Sequence, residues 1–166
     1  MGKQIRALGW PFATGLAYYA AAATSLALTS GHDGIATVWP SSGVLVAALL
    51  LSDKRVWPLH ILAGALASLA ANLGVGNGMG ISLGFTVANV VESLLAAWLL
   101  MRNNAQRPFA ARSLDIVTFC ILAACSTVIS ASIASIFVPD PTPVLWFSWF
   151  STDLLGILLV APLILI

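Results

Sequence analysis

The chain has 166 residues, 60% of them apolar and 8% charged, with a formal net charge of +1. An ordinary soluble domain carries about 25% charged residues, so this composition excludes one and fits a chain whose solvent is the lipid bilayer. Seven Lys and Arg against six Asp and Glu leave no basic face, which excludes nucleic acid as a partner.

In chain order, the first apolar run follows Lys3 and Arg6 and meets no charged or His residue before His32. A secretory h-region is about 7–15 residues; this run is much longer and reads as a membrane helix rather than a cleaved signal peptide. The second run, 34–52, contains "VWPSSG", Val38 to Gly43. Proline near a first turn loses no needed donor, and Ser41, Ser42 and Gly43 carry little bulk, so a wide polar opening is expected below Trp39. The third follows "KRVWPL" and contains His60. With no second His, Cys or carboxylate expected nearby, that side chain reads as an interfacial or buried neutral histidine.

From residue 61 to 91 the apolar stretch is too long for one crossing, and "GVGNGMG" at 74–80 breaks it, because glycine and asparagine permit a tight reversal. The fourth helix carries Asn89, Glu92 and Ser93. The fifth run, 116–139, holds Cys120 and Cys125, which a helix keeps too far apart for a disulfide, so they read as packing residues. No Cys-x-x-Cys or His/Cys cluster suggests a metal site, and the residues leave the identity of any cofactor unknown. The sixth includes "WFSWFSTDLLG" and ends the chain apolar at "VAPLILI", as though a longer protein continued.

Each run can cross roughly 30 Å of hydrocarbon at 1.5 Å per residue. The expected fold is all-α, a polytopic transmembrane bundle of six helices at about 7–30, 36–52, 56–73, 81–101, 114–138 and 144–166. If the N-terminus is cytoplasmic, Lys3, Arg6, Lys54, Arg55, Arg102, Arg107 and Arg112 all fall inside and none outside, as the positive-inside rule requires. The opposite loops hold only Asp33, Asp140 and His32, with the C-terminus returned to the cytoplasm.

Two acids remain. Asp153 and Glu92 lie roughly 12–16 Å below the outer surface in this arrangement, in one layer with Asn89. A charge at mid-bilayer costs at least about 2.5–3.5 kcal/mol, so such a group is kept for a partner, a ligand or a proton. Every Lys and Arg is assigned to the other rim, so no fixed countercharge is expected. Asn89 and Glu92 share a helical face, and Trp146, Trp149 and Asp153 follow helical spacing, which would stand two indoles above the carboxylate. The plainer reading of the tryptophans is an interfacial aromatic belt, and of the acids a structural hydrogen bond. Gly76, Gly80 and Gly84, with Gly64 and Ser68 on the third helix, suggest close helix packing and are compatible with a homodimer.

With these motifs in order, the chain resembles the first membrane-associated sensor family, a bacterial integral-membrane input domain found ahead of histidine kinases and diguanylate cyclases. The resemblance rests on Trp-Pro-x-x-Gly at Trp39, Pro40 and Gly43 and on Asn-x-x-Glu at Asn89 and Glu92. It closes on a Trp-rich stretch into Asp-x-x-Gly and a later Pro, at Trp146, Trp149, Asp153, Gly156 and Pro162. It implies a sensory domain over residues 1–166, in the bacterial inner membrane, whose C-terminal cytoplasmic effector is a histidine kinase or a cyclic-di-GMP enzyme. The family's domain usually carries more crossings than six, so further helices are expected after Ile166. The expected signal site comprises Trp39, Pro40, Ser42, Gly43, Asn89, Glu92, Trp146, Trp149 and Asp153, for an unidentified small molecule or ion. Other readings are a membrane module docking on a partner sensor, a transporter-like solute-binding subunit, or an intramembrane aspartyl protease; the last needs two close carboxylates sharing a proton.

Overall fold

The computed structural model describes the backbone of residues 2–28, 38–103 and 113–166, and side chains within 9–28, 38–103 and 115–166. Among these residues there are six α-helices, one short 3-10 turn and no strand. The helices are α1 (Gly2–Leu28), α2 (Pro40–Leu51), α3 (Trp57–Gly74), α4 (Met79–Arg102), α5 (Ser113–Ile136) and α6 (Pro143–Leu165), with the 3-10 turn at Lys54–Val56. Their number and order agree with the sequence reading. His32, Asp33, Arg107, Arg112 and the side chains of Lys3 and Arg6 lie outside the described residues.

The helix ends follow from local chemistry. Proline occupies the first turn of α2, α3 and α6, where its missing N–H costs no helical bond. Thr142 caps α6 by accepting from Leu145 N at 3.2 Å. After α3 the chain turns at Gly76, with φ of 88°, a conformation glycine adopts without steric cost. Asn77 then ties the turn back, its N–H donating to Asn72 O at 3.2 Å and its Nδ2 to Asn72 Oδ1 at 3.1 Å.

Among the described residues, four segments are long and apolar enough to cross a membrane: Lys54–Gly74, Met79–Arg102, Asp115–Ile136 and Pro143–Leu165. Their outer faces carry exposed Leu62, Leu66, Ile121, Val128, Phe147 and Leu159, a surface suited to lipid and not to water. Arg102 lies over the Trp98 ring at 5.3 Å. α3 and α4 pack together across the short turn that joins them, which places Arg102 at the same end as Lys54 and Arg55.

α2 departs from the expectation. Its helix begins at Pro40 and has 12 residues, about 18 Å, too short to cross alone. It is nevertheless the axis of the bundle, touching α1, α3, α4 and α6. Leu45, Val46, Ala47 and Leu49 are completely buried, as expected for a helix apolar all round. Its start is fixed well inside the bundle by Trp39 N–H, which donates to Thr152 O of α6 at 3.0 Å. Thr152 is about 14 Å along α6, so α2 enters at mid-depth.

The wide opening expected below Trp39 is absent. Ser41 and Ser42 are fully buried, and Gly43 meets the Gly156 carbonyl and Val160 of α6. A Cβ on Gly156 would overlap the Trp39 carbonyl. The small residues of this stretch bring two backbones together instead of leaving space, the usual use of small side chains between helices in lipid.

Candidate functional site

Glu92 comes from the middle of α4 and is completely buried. Ser42 Oγ in the first turn of α2 donates to its Oε2 at 3.2 Å, and Thr127 Oγ1 of α5 lies 3.3 Å from its Oε1. Thr127 has a single hydroxyl proton and shares it with the Ala123 carbonyl, at 2.9 Å. The Asp153 carboxyl, 2% exposed on α6, is a near neighbour of Glu92. Two ionised carboxylates so placed would repel one another, and a proton on one of them or a cation beside them relieves that repulsion. The two acids are neighbours, but of the pair only Asp153 lines the cavity described next.

Above Asp153 lies a cavity of about 580 Å³. Trp39, Phe85 and Trp149 form its aromatic wall, and Asn72, Asn77 and Asn89 its amide wall. It extends to the turns at Asn77 and Asp140, away from Lys54, Arg55 and Arg102. Phe85 and Trp149 are 4.6 Å apart at 58°, and Trp149 Nε1 donates to Ser130 Oγ at 3.0 Å. Asn89 Nδ2 donates to Ser68 Oγ at 3.3 Å. Several buried polar atoms have no hydrogen-bond partner: Asp153 Oδ2, Asn89 Oδ1, Trp39 Nε1, Tyr18 OH and Ser93 Oγ. Buried polar atoms are normally satisfied, so the unpartnered acceptors of Asp153 and Asn89 on the cavity wall are informative.

The nine expected site residues separate into three groups. Trp39, Asn89, Trp149 and Asp153 line the cavity, while Glu92 and Ser42 form the floor beneath it through their mutual hydrogen bond. Gly43 is occupied in packing against α6, and Pro40 faces a separate groove with Ala20, Ala21 and Thr24 of α1. Trp146 does not stand over the carboxylate. It stacks on Phe150 at 5.6 Å and donates from Nε1 to Ser132 Oγ at 3.2 Å on the outside of α5, the position of a belt tryptophan.

Residues that the sequence reading passed over complete the site. Tyr18 is fully buried beneath Trp39 in the same apolar cluster, and Phe85 and Asn72 line the walls. Thr127 and Ser130 are three apart on α5 and present one polar face; that i, i+3 spacing was the available signal. His60, by contrast, sits far from this site, with Nδ1 2.9 Å from Thr14 Oγ1 and Nε2 3.0 Å from Ser52 Oγ. It is buried and fully engaged in bridging α1 to the end of α2.

The family model of the membrane-associated sensor domain, MASE1, matches residues 10–166. Comparisons with curated proteins and with solved structures find no match. MASE1 domains are membrane sensory input domains of signalling proteins, not catalytic units. An all-helical, membrane-compatible bundle with its polar groups turned inward agrees with that role, and the chain belongs to the MASE1 family.

Proposed function

We propose that the Glu92–Asp153 pair and the cavity above it form the signal site of this sensor domain. The signal arrives from the outer side or within the membrane and regulates a cytoplasmic effector C-terminal to α6, a histidine kinase or a cyclic-di-GMP enzyme. In this reading the domain lies in a bacterial inner membrane with its N-terminus and its basic end, Lys54, Arg55 and Arg102, in the cytoplasm. The cavity then faces outward.

One observation carries the reading: a carboxyl pair buried among four helices, with unpartnered acceptors at the base of an aromatic-walled cavity. Such a pair is expensive in lipid and marks function by default. Its geometry also supplies a route outward. Asp153 sits one residue from Thr152, whose carbonyl holds the start of α2, and Glu92 holds Ser42 within the first turn of that helix. A ligand that alters the contact between the acids bears on α2 and α6 together. It changes output only by its differential affinity for two helix packings.

The test is Asp153→Asn, and separately Asp153→Ala, in the full-length protein, with effector output measured beside membrane insertion. Both variants are expected to insert and to shift basal or stimulated output several-fold. Output unchanged in both defeats the proposal, and would favour an assembly role in which the domain docks on a partner membrane protein.

A further inference from the structure

We infer that the cavity takes an organic cation, a ligand with a primary ammonium group held by Asp153 and Asn89 and faced by the rings of Trp39, Phe85 and Trp149. The inference rests on the reading of this cavity as the signal site and names the chemistry of its ligand.

Charge is the first argument. Asp153 lies at the base of the cavity, Asp140 at its far end, and Glu92 directly beneath Asp153. No basic side chain lines the cavity among the described residues. An anion placed there would lie against Asp140 and the acid pair with no basic side chain to offset them, which is unfavourable. A cation supplies the countercharge the acids lack.

Hydrogen-bond capacity is the second. Of the unpartnered buried atoms on the cavity wall, Asp153 Oδ2 and Asn89 Oδ1 are acceptors and Trp39 Nε1 is a donor. Asp153 and Asn89 are 2% and 1% exposed. A ligand offering more donors than acceptors satisfies this set, and an ammonium offers three donors and no acceptor. Trp39 Nε1 remains for an acceptor elsewhere on the ligand.

The wall is the third. Two indoles and a phenyl ring present π-faces or edges to one volume, and aromatic faces attract ammonium groups, most strongly where water is excluded. At about 580 Å³ the cavity suits a molecule of drug or metabolite size, more than a bare metal ion needs. Among the described residues no group of three or more His, Cys, Asp or Glu forms a metal cage.

The experiment uses the full-length protein in phosphatidylglycerol nanodiscs, which contain no ammonium group, and follows thermal unfolding and calorimetric binding of benzylamine. Benzyl alcohol and benzoate serve as neutral and anionic isosteres, and sodium is titrated at constant ionic strength. Benzylamine is expected to bind and stabilise, with the isosteres at least tenfold weaker. Asp153→Asn is expected to weaken benzylamine at least tenfold and Trp149→Leu about 2- to 30-fold. If Asp153→Asn fails to fold, Asn89→Ala keeps the test open, with a loss of about 3- to 10-fold expected.

Equal binding of benzoate or benzyl alcohol overturns the inference. So does undiminished benzylamine binding in the variants, or Asp153-dependent stabilisation by sodium without any by the amine. Repeating the titration with phosphatidylethanolamine in the nanodiscs separates sources. Competition by that lipid identifies a lipid headgroup as the ammonium, and none identifies a free amine. Effector output distinguishes the two proposals: altered output in Asp153→Asn with no amine binding leaves the signal site standing and removes only this ligand class.

Discussion

Gly156 shows how little freedom the site leaves to its neighbours. The Trp39 carbonyl occupies the space a Cβ would need, and that carbonyl belongs to a backbone already held by the Trp39 N–H bond to Thr152 O. Gly156→Ala is therefore expected to destabilise by about 1–3 kcal/mol or more, read as a fall in unfolding temperature in detergent. Gly80→Ala, with nothing within 4 Å of the added methyl, is expected to leave stability unchanged or slightly raised. Thr127→Val keeps the shape of the side chain but removes the hydroxyl at Glu92 Oε1; a loss of about 1–3 kcal/mol in the same measurement follows from leaving a buried polar atom unpaired. The acids themselves were legible in the sequence because a carboxylate in an apolar run is costly wherever it points. Trp146 and Trp149 were not separable, since helical spacing places both on one stripe. Which indole turns inward depends on Phe85 and Ser130 for one, and on Ser132 for the other.

At the scale of elements, α2 decides the arrangement. The residues that suggested an opening each meet a different helix, Ser41 the Tyr18 carbonyl of α1, Ser42 Glu92 of α4 and Gly43 the backbone of α6, and α2 thereby becomes a buried half-length helix. Its first turn meets Glu92 through Ser42, and the partial positive charge of a helix N-terminus is favourable beside an acid. Discontinuous helices of this kind occur in membranes only where protein covers the broken end. The other end of α2 is tied down by His60, which touches Thr14 and Ser52. Ser52→Ala is expected to cost about 0.5–1.5 kcal/mol in detergent unfolding without changing the signal site. The glycine repeat also resolves differently at each position. Gly76 makes a turn, Gly80 faces open space, and Gly84 accommodates Phe137, so the three do not form one packing stripe.

For the whole molecule, the basic end and the cavity end are distinct surfaces, and sidedness is open to direct measurement. With Cys120 and Cys125 replaced by Ala, Asn77→Cys is expected to react with a membrane-impermeant thiol reagent in intact cells. Lys54→Cys is expected to react only after permeabilisation. The reverse pattern would place the cavity on the cytoplasmic side and remove an outside signal from the proposal.

Composition and charge placement by themselves determined the solvent, the number and order of the helices, and the presence of unpaired acids, because each follows from transfer cost along a one-dimensional chain. The family motifs were legible in the same way, as fixed residues at fixed intervals. Only tertiary structure decided that Glu92 and Asp153 are neighbours, that α2 starts at mid-depth, and that the cavity lies between the α3–α4 and α5–α6 turns. Those facts depend on which helix faces meet, and in lipid that choice rests on close packing and hydrogen bonds between residues distant in sequence, not on hydrophobicity.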